Sequence, residues 1–165
     1  MTSGITPEEF SELTSLVGHA VWQIQVLERV LAGHLVMVHQ ITTDTARSEI
    51  ETMFVKTARH TLGQLFSAIR KTGEGPESLL PRLERFILER NWLVHRSRYK
   101  NRSDLYSPAK RTALRQRLCA IADEALSLMK AFQQATEDRL IGQGMTKAEI
   151  DARAKQIRKE WTESA

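Results

Sequence analysis

Cysteine is nearly absent: Cys119 is the only one in 165 residues, which excludes an intrachain disulfide framework and a cysteine-rich zinc site. It falls inside an apolar helical pattern and is expected to be a buried structural thiol. The eight glycines and four prolines are few, and none builds a glycine-rich phosphate loop. Long apolar runs are missing too. Without a stretch of about 18 uncharged apolar residues, no membrane span is expected. The opening MTSGITPEEF has neither the basic region nor the apolar stretch of a signal peptide, so a cytoplasmic location is expected. His34 and His39 are five apart, and His19 lies fifteen before His34. These spacings match no H-E-x-x-H pattern and complete no evident ligand set, so neither a metal nor another cofactor is expected. Internal repeats, low-complexity tracts and strand-like alternation are also lacking.

What the chain does have is charge in one place. Its formal +4 conceals eleven Arg or Lys against three acids between residues 82 and 117, a net of +8, while the remaining thirteen basic and seventeen acidic residues give −4. Such a concentration resembles a surface that faces a polyanion.

Helical spacing accounts for the rest. Thr6 caps a first helix, Pro7 suits its first position and Glu9 completes a capping box. Phe10, Leu13, Leu16/Val17, Ala20/Val21, Ile24, Leu27, Val30/Leu31 and Leu35 then recur at helical intervals over about thirty residues, with Trp22, Val26, Val36 and Met37 widening the stripe. A second helix is expected from about Asp44 to Arg70, ended by KTGEGPES. A third spans about Leu79 to Arg96, with Pro81 in its first turn. After the loop RSRYKNRSDLY, Ser107 and Pro108 open a fourth. Its Leu114, Leu118, Ile121, Ala125, Leu128, Phe132 and Ala135 alternate steps of four and three, as a bundle seam does. Gly142 and Gly144 stop it, and Thr146 with Glu149 begins a short charged tail helix. The expected fold is therefore all-α: a four-helix bundle over residues 1–145, with residues 146–165 as a tail helix packed on the bundle or on a second subunit.

One residue conflicts with this pattern. Leu83, Phe86/Ile87 and Leu93/Val94 define the packed face of the third helix, and Arg90 falls on it. An arginine there must snorkel, pair with an acid, or line a cleft that holds an anion. His95 lies five residues later, turned by about 140° on a regular helix, so the two converge only if the helix ends or distorts, or if a second subunit completes the site. Beyond it runs the basic loop Arg96, Arg98, Lys100 and Arg102, followed by Lys110 and Arg111. Trp92 is expected to anchor this region by packing, and His60 to be a packed or hydrogen-bonded histidine at a helix face.

The run Arg90-Asn91-Trp92-Leu93-Val94-His95 resembles the Arg-Asn-x-x-x-His signature of HEPN domains. These are small helical bundles that include metal-independent ribonucleases of toxin–antitoxin, phage-defence and RNA-processing systems. An Arg-x4-His spacing alone is common by chance; the Asn and the position late in a short third helix make it more specific. The resemblance spans about residues 7–141 and leaves out the tail. It implies that Arg90 and His95 are the catalytic pair, that Asn91 supports them, and that two copies form a homodimer with both motifs facing a shared cleft. An antitoxin or regulatory protein is a further partner it implies. Some relatives carry a modifiable tyrosine two residues beyond the histidine; here that position is Ser97, with Tyr99 two further on, so such modification is not implied.

The residue chemistry suits that reading. Histidine exchanges protons around neutrality and can take the proton of a ribose 2′-hydroxyl. Arginine stays charged and presents a fork of donors to a phosphorane, and an asparagine amide can orient a phosphate. The expected activity is cleavage of single-stranded RNA, leaving a 2′,3′-cyclic phosphate and a 5′-hydroxyl. Arg96, Arg98, Lys100, Arg102, Lys110 and Arg111 would hold the RNA backbone. The competing expectation is a catalytically inactive helical module that uses the same surface to bind RNA or a protein.

Overall fold

The computed structural model describes residues 4–40, 44–73, 75–97 and 104–163, and these are helical without a strand among them. The order is α1 (Pro7–Leu35), which closes in a wider turn at Val36–Gln40, then α2 (Arg47–Thr57), α3 (Leu62–Lys71), α4 (Leu80–His95), a tight turn at Asp104–Tyr106, α5 (Pro108–Gly142) and α6 (Lys147–Glu163). No helix among the described residues is long and apolar enough to cross a membrane.

The α1 start forms as its sequence dictates. Thr6 Oγ1 accepts the Glu9 N–H at 3.2 Å, and Glu9 Oε2 accepts the Thr6 N–H at 3.1 Å. The expected single helix over residues 44–70 is instead two. A second capping box breaks it: Thr61 Oγ1 accepts the Gln64 N–H, and Gln64 Oε1 accepts the Thr61 N–H at 2.8 Å. The run TLGQ states this box, but the apolar spacing reads straight through it, because Thr57, Leu62, Leu65 and Ile69 are buried on both sides of the break.

α1 and α5 are the long pair and run parallel. At one end Arg111 and Arg115 of α5 meet Glu9 of α1, and Arg115 also meets Glu12. At the other, His34 of α1 lies 2.8 Å from Thr136 Oγ1 and places its ring edge-on to Phe132. The Thr136 hydroxyl gives its one hydrogen to the Phe132 carbonyl, so its oxygen receives the Nδ1–H of His34. α4 runs antiparallel to α5, because Arg82 pairs with Glu124 while the later Glu89 pairs with the earlier Arg117. The core between them contains Leu27, Leu31, Leu62, Leu65, Leu83, Leu118, Leu128 and Phe132, all fully buried.

The expectations for Cys119, Trp22 and Phe10 are corrected at the surface. Cys119 is exposed, because it sits about 100° round α5 from Leu118 and off the seam. Trp22, 69% exposed, and Phe10 stand outside the α1 stripe formed by Leu13, Ala20, Ile24, Leu27 and Leu31. α6 leaves α5 through Gly144, whose φ of +99° suits glycine. Its Lys147 reaches back to Glu137 and Ile150 is half-buried, whereas residues 151–156 are exposed.

Phe132→Ala is expected to cost about 3–5 kcal/mol in a denaturant titration, whereas Trp22→Ser should stay within about 0.5 kcal/mol. The α6 cap carries a pH dependence. Hydrogen bonds from the Thr146 backbone N–H and hydroxyl hold the Glu149 carboxyl below its ordinary range. The cap contribution is therefore complete above the ordinary carboxylate pKa and is lost as pH falls through the lowered one. Amide exchange over the first turn of α6 should accelerate on acidification, relative to its intrinsic rate, in the native chain and show no such transition in Glu149→Gln.

Candidate active site

α4 carries the motif and stays helical to its last residue. Its end is closed by the Arg96 N–H, which donates to the Trp92 carbonyl at 2.8 Å, and by the Ser97 hydroxyl, which donates to the Leu93 carbonyl at 2.6 Å. Leu83, Phe86, Trp92 and Leu93 are buried, and Arg90 lies among them. Of the three fates open to such an arginine, the structure shows pairing with an acid. Arg90 Nη2 is 3.6 Å from Glu28 Oε1 of α1, and the two side chains are 20% and 21% exposed. Arg90 Nη1 donates to Asn91 Oδ1 at 3.3 Å. Its Nε is buried with no hydrogen-bond partner among the described residues.

Glu28 is the residue that sequence reasoning missed. Its Oε1 also accepts the Leu62 N–H at 3.1 Å, one of the free amides that open α3. No spacing within α1 announces it. Only the approach of α3 and α4 gives this carboxylate its two partners.

His95 is exposed at the end of α4. Because the helix remains regular, His95 and Arg90 point about 140° apart and one chain does not bring them to one side. Leu88, Asn91 and His95, spaced by three and four, instead share the outward face of α4. Leu88 is 68% exposed there, and Val94, expected on the packed face, is also exposed, about 60° round the helix from Asn91. Trp92 packs inward, with the Arg117 guanidinium 3.5 Å over its ring while Arg117 forks onto Glu89 at 2.8 and 3.0 Å. That face of the indole is covered and cannot stack on a base. His60 is half-buried, and its buried Nδ1 has no hydrogen-bond partner among the described residues.

The basic segment is mostly answered by acids. Among the described residues, Arg82 pairs with Glu124, Arg90 with Glu28, Lys110 with Asp104, Arg111 with Glu9, Arg115 with Glu9 and Glu12, and Arg117 with Glu89. Arg82 and Glu124 form a two-pronged hydrogen-bonded pair, which raises the guanidinium pKa further. Arg111 must be removed from the RNA-facing set. It is 4% exposed and also donates to the Leu105 carbonyl at 2.9 Å, so it ties α5 to α1 and cannot reach a phosphate outside. Lys110 is exposed beside Asp104, and Arg96 is exposed at the α4 end. Arg98, Lys100 and Arg102, with Tyr99, lie outside the described residues.

A groove of about 350 Å³ runs between α4 and α5, lined by Arg82, Arg85, Phe86, Glu89, Arg117 and Glu124 among others. Both carboxylates are engaged by forked arginines, and Arg85 forms no ion pair among the described residues. The groove lies on the flank of α4 away from Arg90, as the helical positions of Arg82, Arg85 and Glu89 require. No three of the described His, Cys, Asp and Glu side chains gather as a metal would need.

No family model, no curated protein and no solved structure matches the chain.

Arg111→Ala should lower stability by about 2 kcal/mol, because it strips a half-buried carbonyl and a carboxylate of a buried charged donor, whereas Arg85→Ala should remain within about 0.5 kcal/mol. Urea midpoints of the two variants check this difference.

Proposed function

We propose that the chain is a metal-independent endoribonuclease of the HEPN type, acting on single-stranded RNA as a homodimer. The observation that carries this reading is the state of Arg90. It is a charged group in a packing position, held by Glu28 and hydrogen-bonded to the Asn91 that follows it, on the helix that ends in an exposed His95. An arginine placed only for solubility needs none of this support.

The nucleophile is the substrate's own 2′-hydroxyl, so no metal-bound water is required. His95 takes the hydroxyl proton, the 2′-oxygen attacks phosphorus, and the bond to the 5′-oxygen breaks. The proton is returned to that oxygen, leaving a 2′,3′-cyclic phosphate and a 5′-hydroxyl. Arg90 stabilises the charge that gathers on the phosphorane oxygens. Single strands are favoured because the attacking oxygen must rotate into line with the leaving one, which an A-form duplex resists. The 140° between Arg90 and His95 calls for a composite site. Leu88 and Val94, exposed beside Asn91 and His95, suit burial against a second copy related by a twofold axis, so that Arg90 of each protomer meets the partner's His95. Arg96 and Lys110, with the basic loop between them, hold the RNA backbone. As an effector of a toxin–antitoxin or phage-defence system, such an enzyme would be restrained by an inhibitory protein.

A second reading is a catalytically silent binding module. Exposed Trp22 favours a protein partner on α1. It predicts binding without turnover.

In the presence of chelator, the native chain should cut single-stranded RNA and leave DNA intact. His95→Ala and Arg90→Ala should each lose about 100-fold or more. Mixing the two inactive variants should restore activity, because the mixed dimer keeps one site with both residues. Equal cleavage by His95→Ala, or no cleavage of any varied single-stranded RNA by the native chain, overturns the enzyme reading. Cleavage without rescue on mixing overturns the composite site.

A further inference from the structure

We infer that Glu28 is a positioning residue for Arg90, acting through the guanidinium and not on the RNA. The inference rests on the ribonuclease reading for its consequence, but its geometry stands independently. One carboxylate oxygen faces Arg90 Nη2 at 3.6 Å and takes the Leu62 N–H at 3.1 Å. The second contact anchors the first. Glu28 is held by the opening amide of α3, so its charge sits at a defined place on α1 instead of moving with a free side chain. Arg90 meets that charge from α4.

The consequence for the guanidinium follows from its donor count. Each terminal nitrogen carries two hydrogens. Glu28 engages Nη2 and Asn91 engages Nη1, so each nitrogen keeps a further hydrogen for a phosphate oxygen. An arginine without such partners would spread over many rotamers, and part of its binding energy for the transition state would be lost in ordering it. Glu28 also lowers the attraction of Arg90 for a ground-state phosphate by opposing its charge. Removing that charge while keeping the oxygen should therefore tighten substrate binding and slow the reaction.

Glu28→Gln makes this separation, because its amide oxygen still accepts the Leu62 N–H. The expected result is a kcat at least tenfold lower with an unchanged or lower KM, and a steeper dependence of RNA affinity on salt. Glu28→Asp, which retains the charge, should recover part of the rate and serves if the glutamine variant does not fold. Native kcat and KM in folded Glu28→Gln overturn the positioning role and leave the ribonuclease reading intact. A raised KM at native kcat overturns it as well, since that is the mark of a direct substrate contact. Independently of turnover, the Arg90 Nε–H signal in a ¹⁵N correlation spectrum, assigned by its loss in Arg90→Lys, should shift and exchange faster in Glu28→Gln. If the native chain cleaves no RNA, this signal decides: a changed signal supports the positioning of Arg90 by Glu28, and an unchanged one overturns it.

Discussion

A guanidinium on the packed face of a short helix has to find an acid or distort the bundle, because an unpaired charge among leucines is far more costly than any surface cation. Arg90 finds Glu28, and much of the molecule follows from that pairing. Glu28 belongs to α1, its oxygen caps the first amide of α3, and Arg90 arrives from α4, so three helices meet at one carboxylate. Leu62, whose N–H makes that contact, is itself fully buried in the core. The polar junction and the apolar packing therefore hold the same elements in place, and the arginine is presented at the edge of the bundle with its charge partly opposed.

The same economy of charge runs along α5. A sequence segment with a large positive excess becomes, among its described residues, a set of ion pairs whose acids come partly from within it, Glu89 and Asp104, and partly from elsewhere: Glu9, Glu12 and Glu28 from α1 and Glu124 from the middle of α5. Most of these pairs are partly exposed and contribute little individually. Their larger effect is on what remains outside. Once they are made, the described surface of this segment retains Arg85 in the α4–α5 groove and Arg96 at the helix end, so a polyanion would meet a narrower field than the linear charge suggests.

α4 divides its work by direction. Inward it packs Leu83, Phe86 and Leu93. Along one flank Arg117 is clamped between the Trp92 ring and Glu89, which fixes the indole as a structural wall. Outward it shows Leu88, Asn91 and His95. That face sets an exposed leucine beside a histidine and an asparagine, an apolar contact next to groups that can exchange protons and orient a phosphate. This is why the proposed chemistry and the proposed second copy belong to the same surface.

Much of this was legible in the sequence because helix periodicity and caps are local. The starts at Thr6, Pro108 and Thr146, the seam from Leu118 to Phe132, and the place of Arg90 on a packed face all follow from spacings within a few turns. The division of residues 44–70 into two helices was also written locally, in TLGQ, but the continuous apolar spacing concealed it. Four other outcomes were not local: the exposure of Cys119 and Trp22, the burial of Arg111, the pairing of most of the described basic residues with acids, and Glu28 as the partner of Arg90. Each depends on which face of one helix a distant helix covers, or on an acid brought near from as many as 106 positions away along the chain, as Glu9 is to Arg115. The sequence by itself determined where helices begin, where they end and which stripe each must bury. Only the tertiary structure decided which charges meet, because ion pairing depends on distance in space, and helix period carries no information about it.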